Sequence, residues 1–274
     1  MRRFGFAALA AWLVLTASAI AHCTLQATIL LQPMASGHFV LSMDVGSKPL
    51  RFLIDTGASN SLLTARAAEA TGLQRQSMAN GNALGGAAVK DYVTAPDVGL
   101  GGLPQGPIPF AILSAPLPVD GIIGLDILSR YDVTFDFPSA RMLLYAPGAC
   151  TPAGQAIAYT TERGHIVLTA LVDGKPITAW LDSGAQQSLL SRETADATFT
   201  LDPAKLSPAK PPRQAYRFDS VAIGAAVHSA PTILLAPDAS LSFRDKARML
   251  VGIDILKQHR LFIAFGRQTL FLTP

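Results

Sequence analysis

Charge is scarce in this chain, and so is cysteine. Only 15% of the 274 residues are charged, against 50% hydrophobic, and two are cysteine. So apolar a composition leaves ample material for a sizeable core, and the length suits one large domain or two modest ones. No dense basic run is present, which removes the electrostatic footprint of a nucleic-acid binder. No segment beyond residue 21 is long and apolar enough to span a bilayer. The chain has no zinc-binding helix motif, no phosphate-binding glycine loop and no nucleophile-elbow serine. Neither cysteine sits in a motif that would make it a nucleophile. Metal-assisted, phosphate-handling and acyl-enzyme chemistries therefore have no foothold in the sequence, and no cofactor or metal is expected.

The N-terminus has the pattern of an export leader over residues 1–21. Arg2 and Arg3 form a basic start, Phe4 to Leu15 an apolar stretch, and Ala19-Ile20-Ala21 a small-x-small cleavage site. The alternative is an uncleaved N-terminal anchor, since Phe4 to Ala21 lies at the short edge of a membrane span. Cleavage would leave a periplasmic or secreted protein with no stable membrane insertion. It would also take the formal charge from +3 to +1, because the leader carries two basic residues and no acidic one. In an oxidising compartment, Cys23 and Cys150 are expected to pair, although two unpaired thiols are the other reading. A bridge would tie the N-terminus to the middle of the chain.

What the chain does have is a duplication. Asp55-Thr56-Gly57-Ala58 returns as Asp182-Ser183-Gly184-Ala185. Each copy follows an apolar run and is followed, after the same gap, by Ser-Leu-Leu. Gly37 to Thr64 aligns without a gap on Gly164 to Ser191, with identities that include His38/His165 and Lys48/Lys175. A second block, Ile122-Ile123-Gly124-Leu125-Asp126-Ile127-Leu128, returns as Leu250-Val251-Gly252-Ile253-Asp254-Ile255-Leu256. Two copies in the same order describe one unit used twice, not a solenoid.

Each unit reads as short strands. Phe39, Leu41, Met43 and Val45 alternate with other residues, as do Ile166, Leu168, Ala170 and Val172. Gly46-Ser47-Lys48-Pro49 and Asp173-Gly174-Lys175-Pro176 supply hairpin turns. Short helices are expected within Ser59 to Ala70 and at Leu125 to Leu128 and Ile253 to Leu256. Strands are expected at Thr24 to Leu31, Val133 to Phe137, Met142 to Tyr145, Leu261 to Phe265 and Thr269 to Leu272. The expected organisation is a leader over 1–21, one lobe over 22–146, a Pro/Gly linker over 147–155 and a second lobe over 156–274. The copies diverge in the middle. Asn80 to Val89 suits a glycine-tipped hairpin with Leu84, Gly85 and Gly86 at its tip, whereas proline-rich Asp202 to Arg213 reads as an irregular loop.

The paired Asp-Thr/Ser-Gly-Ala motifs, each with its own apolar-apolar-Gly element, resemble the aspartic protease clan, over nearly all of the chain after the leader. Each unit is similar to a retroviral-type protease subunit, closest to the bacterial exported retropepsin-like proteins. The pair is similar to a fused dimer, as in the pepsin type. The resemblance implies a mainly β fold: two similar retropepsin-like β-barrel lobes related by a pseudo-two-fold axis, with few short helices. It implies an endopeptidase, acting as a monomer on a peptide or protein substrate, with Asp55 and Asp182 catalytic. Thr56 and Ser183 would bond across the axis, and Gly57 and Gly184 would admit the backbone close to the carboxylates. Leu84, Gly85 and Gly86 would cover the substrate. Asp126 and Asp254 read as structural, capping short helices or scaffolding the lobes, and His38 and His165 also read as structural. The chain departs from pepsin-like enzymes in lacking a long basic pro-segment. It also has Ala58 and Ala185 where a hydroxyl is usual. Two rivals share the fold: a catalytically inactive peptide-binding pseudo-protease and a structural protein of the cell envelope.

Overall fold

The alternating segments become strands of a mainly β structure, seen in a computed structural model that describes residues 23–82, 88–150, 152–209, 213–238 and 247–273. Three sheets organise these residues, two of ten strands and one of six. In the first lobe, Phe39–Val45 and Lys48–Ile54 form an antiparallel hairpin, with Val45 opposite Lys48. In the second, His165–Val172 and Lys175–Leu181 do the same, with Val172 opposite Lys175. Leu41, Met43 and Val45 are buried while Ser42 and Asp44 between them are exposed, the period-two signature of a half-buried strand. The two ten-stranded sheets place their counterparts in the same order from one edge to the other.

A strand-threading arrangement sits at the centre of each lobe. Gly121–Ile123 runs parallel to the end of Lys48–Ile54 and antiparallel to Leu62–Leu63. Met249–Val251 is placed identically between Lys175–Leu181 and Leu189–Leu190. This explains the apolar-apolar-Gly pattern. The apolar pair lies in the middle of a sheet, with Ile122, Ile123 and Val251 buried and Leu250 half-buried, and the glycine lies against the loop beside it. A Cβ on Gly124 would stand 2.7 Å from the Ala58 carbonyl, and one on Gly252 2.9 Å from the Ala185 carbonyl.

Four α-helices occur among the described residues: α1 (Ala65–Thr71), α2 (Leu125–Leu128), α3 (Arg192–Thr198) and α4 (Ile253–Leu256). The Thr64 side chain caps α1, and Gly72 in the left-handed region ends it. None of the helices in the described residues is long and apolar enough to cross a membrane.

The six-stranded sheet joins the halves. Asp132–Asp136 pairs antiparallel with Arg260–Ala264, and Leu25–Leu30 and Arg141–Tyr145 flank it on one side, Thr269–Thr273 on the other. One face of this sheet contributes Val133, Phe135, Leu261 and Ile263 to a hydrophobic cluster that runs through both lobes. Fully burying one such side chain contributes about 1.5–3 kcal/mol, so truncating Phe135 to alanine would cost about 3–5 kcal/mol. The other face carries Phe262, Ala264 and Phe271, packed with Cys150. Cys23 and Cys150 form a disulfide beside it.

One expectation needs revision. Asp202 to Arg213 is not simply an irregular loop. Leu206–Pro208 pairs with Gln214–Arg217, with Leu206 opposite Tyr216, at the sheet position that Arg75–Asn82 and Ala88–Ala95 occupy in the first lobe. Pro208 permits this because it falls at the end of an edge strand, where no ladder N–H is required, and Pro203 precedes the strand in a 3-10 turn. Asp126 and Asp254, expected to cap short helices or scaffold the lobes, are taken up with the site itself.

Candidate active site

Each motif follows directly from a buried strand end. Asp55 N–H donates to the Ile123 carbonyl and Asp182 N–H to the Val251 carbonyl, so both aspartates leave the sheet fixed to the threading strand. The two loops then meet. Thr56 N–H donates to Ser183 Oγ and Ser183 N–H to Thr56 Oγ1, both at 3.0 Å. Thr56 Oγ1 donates onward to the Leu181 carbonyl and Ser183 Oγ to the Ile54 carbonyl, again at 3.0 Å. Four bonds thus link the lobes through two fully buried hydroxyls.

The reciprocity extends to the carboxylates. Asp55 packs against Gly184 and Asp182 against Gly57, so each acid sits on the opposite lobe's glycine. A Cβ on Gly57 would lie 2.6–2.7 Å from both Asp182 carboxylate oxygens, closer than any side chain permits. Gly57 N–H donates to Asp55 Oδ1 at 2.8 Å, and Gly184 and Ala185 N–H groups donate to Asp182 Oδ1 at 2.9 and 3.0 Å. Asp55 is fully buried and Asp182 nearly so. Asp55 Oδ2 is buried and receives no N–H or hydroxyl donor among the described residues, which leaves the Asp182 carboxyl as its neighbour for a shared proton.

Burial and the neighbouring Asp182 charge hold Asp55 well above the usual carboxylate range, against the pull of the Gly57 N–H. Burial also raises Asp182, while its hydrogen bond with Asp55, the main-chain N–H donors and the nearby His165 pull it back. Two acids in this position titrate as one unit, since both cannot ionise cheaply. The pair can therefore hold one proton and one negative charge together. That combination can take a proton from a water while giving one to a carbonyl.

Asp126 and Asp254 support the loops from behind. Ser61 donates to Asp126 Oδ1 through its N–H at 2.9 Å and its hydroxyl at 2.7 Å, and accepts from Gly124 N–H at 3.0 Å. Ser188 repeats this with Asp254 and Gly252. Neither α2 nor α4 has a side-chain cap. The two acids fasten the serine of each Ser-Leu-Leu element to its threading strand, which is scaffolding, and Asp254 Oδ1 also accepts from the Ile255 N–H of α4 at 3.0 Å.

The tip residues Leu84, Gly85 and Gly86 lie outside the described residues. The arms that lead to them do not: Arg75–Asn82 pairs with Ala88–Ala95, with Asn82 opposite Ala88. Among the described residues no three His, Cys, Asp or Glu side chains are grouped to hold a metal ion.

Sequence reasoning missed the place of His38. Its Nε2 lies 3.0 Å from the Gly184 carbonyl of the opposite lobe, and its Nδ1 lies 2.8 Å from the Ser36 hydroxyl. The duplication of the histidine was visible, but its cross-lobe reach depends on a turn that spacing does not reveal. Likewise, the buried His228 and His259, 2.7 Å apart through their Nε2 atoms, belong only to the second lobe and gave no repeat signal.

Residues 41–127 match the family model described as Aspartyl protease. The match takes in Asp55-Thr56-Gly57-Ala58 and the Ile122-Ile123-Gly124 element, and it supports an aspartyl protease, retropepsin-like family. A comparison with curated proteins finds no match.

Proposed function

We propose that this chain is an exported aspartic endopeptidase that activates water between Asp55 and Asp182, with one site per chain. The observation that carries the reading is the reciprocal seating of two buried carboxylates on each other's glycine, with a raised affinity for protons at both. The ionised acid takes a proton from water. The protonated acid donates to the scissile carbonyl, and a tetrahedral diol results. The roles then reverse: the acid that gained a proton gives it to the departing nitrogen, the acid that lost one takes a proton from a diol hydroxyl, the carbonyl re-forms and the bond to nitrogen breaks. Neither step calls for a covalent intermediate.

Several features favour the finer parts of this reading. Both motifs lie in one chain and are fastened by Thr56 and Ser183, which suits a monomer. The leader pattern and the Cys23–Cys150 bridge suit a periplasmic or secreted location. The longer hairpin of the first lobe is the better candidate to cover a bound peptide, with Leu84, Gly85 and Gly86 at its tip. Incubation of the purified mature protein with a peptide library tests the proposal. Cleavage that disappears in Asp55→Asn is the expected result. Peptide binding without cleavage would instead identify a pseudo-protease.

A further inference from the structure

We propose that His38 is a positioning residue that acts across the lobe boundary, through the Gly184–Ala185 peptide group, to make Asp182 the ionised member of the pair. The proposal rests on the reading of Asp55 and Asp182 as a catalytic dyad.

The path is continuous. A carbonyl oxygen can only accept, so His38 Nε2 carries the hydrogen and donates to Gly184 O at 3.0 Å. In the neutral ring Nδ1 is then an acceptor, and the Ser36 hydroxyl at 2.8 Å supplies its hydrogen. The Gly184 carbonyl and the Ala185 N–H are two ends of one peptide unit, and that N–H donates to Asp182 Oδ1 at 3.0 Å. Hydrogen bonds in series polarise one another, strengthening each by about 10–30%. A donor at the carbonyl end therefore makes the N–H end a better donor, and a better donor favours the charged carboxylate.

Among the described residues, the other lobe has no equivalent. His38 emerges from a turn closed by Met34 N–H to His38 O and Gly37 N–H to Met34 O, which carries its ring to the second lobe. His165 starts its strand directly opposite Glu162 after a two-residue turn. Its Nδ1 is buried without a hydrogen-bond partner among the described residues, and its ring stacks on Trp180 with centroids 4.5 Å apart. Among the described residues, the loop that carries Asp55 therefore lacks the cross-lobe imidazole donor that the Asp182 loop receives. The ionisable groups around this path are Asp55 and His165, facing Asp182, and Lys257, whose Nζ lies beside Gly37.

His38→Phe keeps a ring and removes the donor, and His38→Gln restores an N–H at similar reach. Carboxyl carbon NMR of the intact mature protein labelled at aspartate, with the Asp182 signal assigned by its loss in Asp182→Asn, reads the dyad without a substrate. His38→Phe is expected to raise the lower apparent pKa of the pair by roughly 0.5–1 unit, with His38→Gln returning most of the shift. The acidic limb of kcat/KM against pH should move by the same amount, with KM little changed. An unshifted carboxyl titration in a folded His38→Phe protein, or a shift that Gln fails to reverse, overturns the proposal. If the carboxyl shift appears in a protein that hydrolyses nothing, the relay stands and the protease reading falls. Hydrolysis without the shift gives the reverse.

Discussion

The two lobes agree at their centre and differ at their rims. The threading strands, the serine–aspartate fastenings and the aspartate loops correspond one to one. The hairpins beside the cleft do not: arms of eight residues each in Arg75–Asn82 and Ala88–Ala95 face arms of three and four in Leu206–Pro208 and Gln214–Arg217. At about 3.3 Å per residue, the first hairpin extends roughly twice as far as the second. α1 ends on a left-handed glycine, whereas α3 ends on extended Phe199. The lesson is that the elements seating the two acids match between the lobes, while the hairpins at the rim are free to differ.

The strongest way to break this comparison is to remove one acid at a time. Asp55→Asn and Asp182→Asn are each expected to cut kcat at least ~100-fold while leaving the fold intact by circular dichroism. A variant that kept more than a few per cent of activity would show that the halves are not equal partners.

The hydroxyl cross-bonds should come next. Ser183→Ala leaves the Thr56 N–H and the Ile54 carbonyl without partners, at about 1–3 kcal/mol for each buried group. Thr56→Val does the same to the Ser183 N–H and the Leu181 carbonyl, and denaturant midpoints should fall by similar amounts in the two variants. A large difference would mean that one lobe fastens the other.

The hairpins should separate turnover from stability. Replacing Gly85 and Gly86 with valine is expected to lower kcat about tenfold through impaired closure, with little change in Tm. Comparable changes at Ala209 and Lys210 should do less. Equal losses would show that the shorter hairpin also covers substrate.

The smallest effect concerns pH and stability. Both dyad acids bind protons more tightly folded than unfolded, so their contribution to stability is greatest when they are protonated and declines as pH rises past the ordinary carboxylate range. Asp136 has the opposite sign. Burial would raise it, but its 2.6 Å bond to Arg260 outweighs this and holds it low, so its contribution is lost as pH falls. Asp55→Asn should therefore raise Tm near neutral pH by about 2–4 °C, the shift that ~1 kcal/mol produces in a chain of this size, and the gain should shrink towards pH 4. A gain that grew on acidification would contradict the raised affinity.

Much of this was legible in the sequence because the duplication displays it twice. The helices at Leu125–Leu128 and Ile253–Leu256 and the strands after them lie where glycine and alternation put them. The pairing of Asp132–Asp136 with Arg260–Ala264 was not legible, since partner choice between distant strands leaves no local signal. The short hairpin at Leu206–Pro208 was hidden because proline suppresses strand propensity without forbidding an edge. The role of Asp126 and Asp254 was obscured by their position at helix starts, where a cap and a tertiary acceptor look alike. His38 was visible as a repeat, but its reach to Gly184 depends on the fold of the Met34–His38 turn.

The central claim is that Asp55 and Asp182 form one hydrolytic dyad within one chain. Titration of the mature protein with a tight-binding peptide whose scissile bond is replaced by a hydroxyl-bearing isostere tests it most directly. The account predicts that hydrolysis ends at one inhibitor per chain, at every protein concentration, and that either Asp→Asn change removes tight binding. An end point at one inhibitor per two chains, or hydrolysis that persists with inhibitor in excess, would contradict it.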